Sequence, residues 1–408
     1  MKIAVIGSGI SGLASAYYLS KKYKVDIFEK DNHFGGHSYT YNIISQNKII
    51  PVDLGFIVFN ELTYPNLINF FKELDIPYEK SDMSFSVSVQ NSNIEYGGKS
   101  LNSIFANRSN IFTLKFLIMI KEIISFYKNA PFLLKDNLEG VTLGSYLHNS
   151  KLSKYFIEYH IIPMVAAIWS MPFSKAKAIP LKLFLRFFLN HGLFKIKNRP
   201  QWYTVTNRSR TYVKKILENI SGEIYKNYKV SKIIRSKNNI RVKIENEFLD
   251  YDQVVLASHA DQSLKLLENP SFQENEILSK FRYIQNIGVL HTEEKLMPKK
   301  KLAWSSWNSV SDGSKSCVTY WLNKLQNLKS DTNYFLTINP IFKLSQSKII
   351  KEVNFTHPFF NAETMNYQKK LFSLQGKNRT WFCGAYFGYG FHEDGLTSAI
   401  NMIKNFKI

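Results

Sequence analysis

Apolar residues fall in short unbroken runs near both ends of the chain and in longer amphipathic stretches between them. Lys2-Ile3-Ala4-Val5-Ile6 is a run of the kind carried by buried parallel strands. Leu13 to Leu19 follows with the content of a helix, and Tyr23 to Phe28 reads as a second strand. Tyr64 to Leu74 is an amphipathic helix that starts beside Pro65, a residue preset for a first turn. Phe85 to Tyr96 alternates as strands do until Gly97-Gly98. Residues 111–134 are mostly apolar but broken by Lys115, Lys121, Glu122 and Lys128, which predicts an amphipathic helix and not a span. Residues 155–173 mix small and large apolar side chains around His160, and predict a helix pair that either lines a cavity or is plain core. Pro180 to Lys197 is strongly apolar, with Lys182, Arg186, Lys195 and Lys197 able to reach outward. Such a helix either lies in a membrane interface or packs on a substrate domain. Arg208 to Ile220 predicts a further helix, and short strands then lead through Val230 to a buried run at Val254–Ala257. Residues 282–322 are strand-like and carry Trp304, Trp307 and Trp321, which suit a sheet covering an apolar ligand or packed on helices. Arg379 to Ala385 is a buried strand ending at a glycine, and His392-Glu393-Asp394-Gly395 opens a last helix to about Lys404.

The chemistry gathers at the two ends of this pattern. Between the first strand and first helix lies Gly7-Ser8-Gly9-Ile10-Ser11-Gly12, and Glu29 ends the second strand. Gly7 permits the tight turn, Gly9 lets the backbone approach a pyrophosphate, and Gly12 lets helix and strand pack closely. Free N–H groups and the helix dipole at Ile10 and Ser11 favour the phosphate charge. Glu29 accepts ribose hydroxyls and repels a 2′-phosphate, which disfavours NADP. Lys30 follows it, and Gly35-Gly36-His37 supplies a second glycine pair that a plain dehydrogenase does not need; an ordinary β-turn is the bland alternative. Asp53 and Gly55 sit inside an otherwise apolar strand pattern, so Asp53 needs partners, as a loop anchor near a cofactor or as a turn residue. A backbone group near Val230 can read an adenine edge, and His259 directly follows a buried strand, where loops gather ligand groups.

The 408 residues exceed what one core usually organises, which predicts two intertwined domains. The formal net charge is +21, mostly from scattered lysine. Nucleic acid, an anionic membrane and mere Lys/Asn/Ile-rich composition all account for it, and the basic apolar helices favour the membrane. Cys317 and Cys383 form no disulfide framework and no metal motif, which fits a reducing compartment. The N-terminus enters a strand without a cleavable leader pattern, and no run of eighteen apolar residues occurs, so a cytoplasmic chain, peripheral at the inner membrane face, is expected.

Taken together, Gly35-Gly36-His37, Pro51-Val52-Asp53-Leu54-Gly55-Phe56-Ile57-Val58, Ala167-Ile168-Trp169-Ser170, Arg199-Pro200-Gln201-Trp202, Thr319-Tyr320-Trp321, Phe382-Cys383-Gly384-Ala385 and Gly388-Tyr389-Gly390-Phe391-His392-Glu393-Asp394-Gly395 resemble the flavin amine oxidase/phytoene desaturase superfamily, over the whole chain. The likeness is strongest to a bacterial branch of predicted NAD/FAD-binding proteins often encoded beside cyclopropane-fatty-acid-synthase-like enzymes. The resemblance implies an α/β fold: a glutathione-reductase-like FAD-binding domain from 1–60, 205–262 and 375–408, interleaved with an α+β substrate domain from 61–204 and 263–374. It implies non-covalent FAD, held by the first glycine turn, Glu29, Lys30, the second glycine pair, His37, Asp53, Gly55, Val230, Gly384, Asp394, Gly395 and Leu396. It also implies desaturation of a methyl-branched unsaturated acyl chain, free or in phospholipid, to a methylated diene. His392, His259, His160 and Tyr389 are the candidate bases, each with a structural alternative. Two departures from the superfamily stand out: His37 replaces a common arginine, and Gly384-Ala385 replaces a common Gly-Asp. A flavin-dependent double-bond isomerase, an amine oxidase and a non-catalytic flavin-binding partner are the rival functions.

Overall fold

In the computed structural model, residues 1–45, 47–90, 92–169, 171–312 and 315–406 are described; Ser170 of the Ala167–Ser170 phrase lies outside them. The first apolar run forms the strand Lys2–Ile6 at the centre of a five-stranded parallel sheet. Its neighbours are Lys24–Glu29 and then Ile224–Lys226 on one side, and Gln253–Leu256 and then Thr380–Phe382 on the other. Both faces are covered, which is why the central strands read as continuous apolar runs. Ile3 and Val5 point into a cluster with the first and last helices, whereas Ala4 and Ile6 point into one with the meander and the helices after it. That meander is the antiparallel set Val230–Arg235, Ile240–Ile244 and Glu247–Tyr251.

The sequence between these strands builds a second layer. Seven strands form a mixed sheet in the order Ile349–Phe359, Arg282–His291, Phe335–Ile338, Ser316–Trp321, Trp307–Ser311, Phe85–Val89 and Glu95–Gly97. A helical lobe spans Leu101 to Asn190 and has its own apolar core. Three separated stretches thus share the parallel sheet, and the intervening chain makes the mixed sheet and helices.

Most expected elements form, and two segments left open by the sequence take a definite place. Across the 155–173 segment, residues 154–168 run as one continuous helical rod in which Ile157–Ile161 is a π turn, with Ile161, Ile162, Val165, Ala166 and Ala167 buried as core, and a separate short helix, Phe173–Ala176, follows. The helix Leu181–Asn190 turns Leu181, Leu183, Phe184, Leu185, Phe187 and Phe188 inward. Its apolar face is therefore spent on the lobe's interior, the packed alternative of the two that its sequence allowed. No helix among the described residues is long and apolar enough to cross a membrane.

Candidate cofactor and active site

The glycine turn is over-determined by its neighbours. Gly7 has φ +100° and donates its N–H to the Phe28 carbonyl at 2.9 Å. A Cβ on Gly12 would lie 1.8 Å from the Gly7 carbonyl oxygen, so the helix Ile10–Ser20 can start there only with glycine. Gly9 differs: a Cβ there meets nothing within 4 Å. That open ground lies beside the first N–H groups of a helix, which have no intrahelical acceptor.

The second glycine pair is tied onto the first. Gly35 donates its N–H to the Ser8 carbonyl at 3.0 Å, and a Cβ on Gly36 would lie 3.2 Å from the Gly9 Cα. Both glycines have positive φ, +111° and +56°. Glu29 is buried and accepts the backbone N–H groups of Ser8 and Asp31, each at 3.0 Å, as well as the Ser8 hydroxyl. Its backbone carbonyl accepts the Tyr228 N–H, which brings the Tyr228–Val230 segment to the end of the acid strand. Lys30 is exposed beside it.

His37 follows the second pair and gives the clearest sign of an absent partner. Its Nε2 is buried and has no hydrogen-bond partner. Burial lowers its pKa to about 4, with a further push from His33. Its ring lies 5.2 Å from that of His357 and 5.5 Å from that of Phe355, both on the long strand of the mixed sheet. His259 stacks on Tyr283 at 4.2 Å and feels the charge of His37 and Lys30. Burial lowers His259 to about 4 and His357 to about 3. His357 was not singled out in the sequence; only the fold, which brings residue 357 beside residue 37, reveals it.

The last helix, His392–Asn405, brings its N-terminus to the same place. A Cβ on Gly395 would lie 2.9 Å from both Ile10 Cγ2 and Ser11 Oγ, so two helix starts converge. Leu396 is buried beneath them. Gly384 donates its N–H to Ser398 Oγ at 2.8 Å, which fixes the strand end to that helix. Asp394 folds the preceding loop back by accepting the Phe391 N–H at 2.9 Å. Burial, chiefly, raises its pKa to about 7. Glu393 accepts the N–H groups of Asn66 and Leu67, both at 2.9 Å, and so caps the helix Pro65–Glu73.

The four candidate bases are not brought together. His392 stacks on Phe56 at 3.8 Å, and its Nε2 lies 2.8 Å from the Tyr212 hydroxyl, which in turn pairs with Ser38 Oγ. Burial, with help from His37, lowers it to about 3. Tyr389 sits half-buried on the same loop. His160 belongs to the helical lobe. Tyr96 donates its hydroxyl proton to the Tyr159 carbonyl, so His160 Nδ1–H donates to Tyr96 and Nε2 accepts from Tyr127, each at 2.9 Å. Both ring nitrogens are thus occupied within the lobe. His259 lies on the nucleotide side. A further histidine, His191, faces the last loop instead: it stacks on Phe187 at 3.8 Å, and its ring lies 5.8 Å from that of Phe391. Trp169 completes this aromatic wall at 4.7 Å from Phe187, and its buried Nε1 has no partner.

Asp53 is fully occupied by protein. It accepts the Thr40 hydroxyl at 2.6 Å, the Ser209 hydroxyl at 2.7 Å and the Ser209 N–H at 2.8 Å. Burial still raises it to about 6. These bonds tie the end of its strand to Thr40 and to the start of the helix at Arg210. Gly55 is required because a Cβ would lie 2.2 Å from the His37 carbonyl oxygen. Cys383 is buried 3.4 Å from Ser15 Oγ, and burial pushes its thiol up to about 12. Among the described residues, no group of histidine, cysteine and carboxylate side chains is arranged to hold a metal ion.

Comparison with known proteins agrees with this layout. Residues 5–74 match the family model described as an NAD(P)-binding Rossmann-like domain. No curated protein matches the sequence. Among solved structures, a CLA-producing fatty acid isomerase from P. acnes superposes with TM-score 0.68 at 13% identity, covering 100% of this chain and 98% of its own. Cyclohexylamine oxidase from Brevibacterium oxydans IH-35A gives 0.70 at 13% identity, and wild-type putrescine oxidase bound to putrescine gives 0.71 at 12%, each over 99% of both chains. The chain therefore opens with an NAD(P)-binding Rossmann-like segment and, over its full length, has the mixed α/β fold of the amine oxidase-like proteins.

Proposed function

We propose that this protein is an FAD-dependent oxidoreductase acting on an apolar acyl chain, and that its reaction is desaturation of a methyl-branched unsaturated chain to a methylated diene. The observation that carries the reading is the convergence of two helix N-termini at Ile10–Ser11 and Gly395, next to the unpartnered Nε2 of His37 and the open ground at Gly9. A dinucleotide needs one such terminus for its pyrophosphate. A second, opened by the last helix, suits the negative edge of a reduced ring. Glu29 and the Tyr228–Val230 backbone would take the adenosine end. Gly9, Ser11, Gly36 and His37 would take the diphosphate, and Gly395 and Leu396 the ring. Bound FAD supplies the hydride acceptor.

The protein's share is to orient the chain, exclude water and move a proton. Trp169, Phe187, Phe391 and half-buried Tyr389 make an apolar aromatic wall against the last loop, a surface on which hydrocarbon packs. His191 and His392 border it and are kept neutral by burial, at about 4 and about 3. His392 is the residue best connected to pass a proton on, through Tyr212 to Ser38.

A second reading, double-bond isomerisation, is favoured by the fold shared with the P. acnes fatty acid isomerase. Anaerobic addition of phospholipid bearing a methyl-branched monounsaturated chain separates the readings. Bleaching of oxidised flavin with a new conjugated diene is the expected result. Full re-oxidation with the double bond moved would assign the isomerase, and no change in flavin or lipid would redirect the search to amines.

A further inference from the structure

We propose that the outward face of the helix Leu114–Asn129, with the turn before it and the segment after it, is the surface by which this protein docks on an anionic lipid bilayer. Exposed large apolar side chains elsewhere are mostly scattered, as on any protein surface. Here they gather: Phe112 is 88% exposed, Leu114 71% and Phe132 60%, with Leu117, Ile118 and Ile124 along the ridge between them. The inward face of the same helix, with Phe116, Met119 and Phe126, makes the contact with the lobe core, and the exposed surface of Phe112, Leu114 and Phe132 is not spent on it.

Charge says what covers the face. Arg108, Lys115, Lys121, Lys128 and Lys135 are interleaved with the apolar positions, all exposed, and among the described residues none of them forms an ion pair with a carboxylate. The acid in the stretch, Glu122, is turned to the N–H and hydroxyl of Ser153. Lysines around an apolar ridge are what an anionic headgroup layer accommodates, the stems lying along hydrocarbon and the ammonium groups among phosphates. The core of a protein–protein contact, by contrast, is depleted in lysine. At 16 residues the helix is about 24 Å long, with charges along it, so it lies in the interface and does not cross. Its inner face belongs to the apolar cluster on which Tyr389 and Phe391 pack, and Tyr127 of this helix bonds His160. Docking in this orientation sets the substrate lobe against lipid; only the inference that an acyl chain enters by that side rests on the proposed function.

The test needs no turnover. The full chain is sedimented with vesicles of phosphatidylglycerol and phosphatidylcholine, and with phosphatidylcholine alone. Binding to the anionic vesicles at least tenfold tighter, weakened by salt, is expected. Phe112→Ser, Leu114→Ser and Phe132→Ser together should reduce it at least tenfold with an unchanged melting temperature. Lys115→Gln, Lys121→Gln and Lys128→Gln should remove the preference for anionic lipid, and serve as the second probe if the serine variant misfolds. Absence of binding to anionic vesicles, or binding indifferent to both sets, overturns the proposal. So does a dimer in sedimentation velocity that the serine substitutions dissociate, which would give the face to a second copy of the chain.

Discussion

A methyl group placed on Gly395 would sit 2.9 Å from the hydroxyl oxygen of Ser11, although the two residues lie at opposite ends of the chain. Ser11 is in the first turn of the first helix and Gly395 in the first turn of the last. Replacing Gly395 with Val should push these helix starts apart. The expected result is a destabilisation of about 1–3 kcal/mol, the usual cost of overpacking, and a loss of flavin affinity larger than that stability loss explains. Thermal melts with and without added FAD check it.

Gly9 and Gly12 lie three residues apart and should behave oppositely. Gly12→Ala drives a methyl into the Gly7 carbonyl, so unfolding by more than about 2 kcal/mol is expected. Gly9→Ala meets open space, so stability of the protein without cofactor should stay within about 0.5 kcal/mol, while FAD affinity falls at least tenfold because the methyl occupies the ground reserved for phosphate. Chemical denaturation paired with flavin titration separates the two.

His160→Phe tests whether that histidine is structural. The substitution strands the Tyr127 hydroxyl, buried and left with only a weak thioether contact to Met164 at 3.7 Å, so a loss of about 1–3 kcal/mol is expected. Turnover per folded, flavin-loaded molecule should stay near the unsubstituted level. A selective loss of turnover would return His160 to the list of bases.

Acid should destabilise the fold through its histidines. His37, His191 and His259 titrate at about 4 when folded, and His160, His357 and His392 at about 3, because burial disfavours the cation. Their unfolded value is about 6.5, so the unfolded chain binds more protons between pH 4 and 6.5, and stability falls as pH drops through that window. Asp53 and Asp394, raised to about 6 and about 7, act in the opposite direction but are fewer. The melting temperature should therefore decline steadily from pH 7 to pH 5, and less steeply in His392→Phe.

The parts legible in the sequence are those encoded locally. Gly7, Gly9, Gly12 and Glu29 form one strand–turn–helix–strand unit, so spacing alone placed them, and the strand and helix around Gly384 and Gly395 followed likewise. What distance in the chain decides was not legible. That a buried Asp53 needs partners is legible, but that Ser209 and Thr40 are those partners is a fold contact that no pattern announces. His357 and His191 enter the site because a strand of the mixed sheet and a helix end happen to abut it. The helix at 181–190, which reads equally as interfacial or packed, buries its apolar face, and the one at 114–129 keeps apolar side chains outside, since both are amphipathic and only packing chooses which face is spent.

The most direct measurement is of the cofactor itself. The purified chain is offered FAD, FMN, NAD and NADP, its visible spectrum recorded, and the cofactor released by acid and identified. The account predicts a flavin absorbance, stoichiometric FAD set free without covalent residue, and no binding of NADP, because Glu29 stands where a 2′-phosphate would go and the Cys383 thiol is buried and unreactive. A colourless protein that rejects FAD, or that takes NADP in its place, would contradict it.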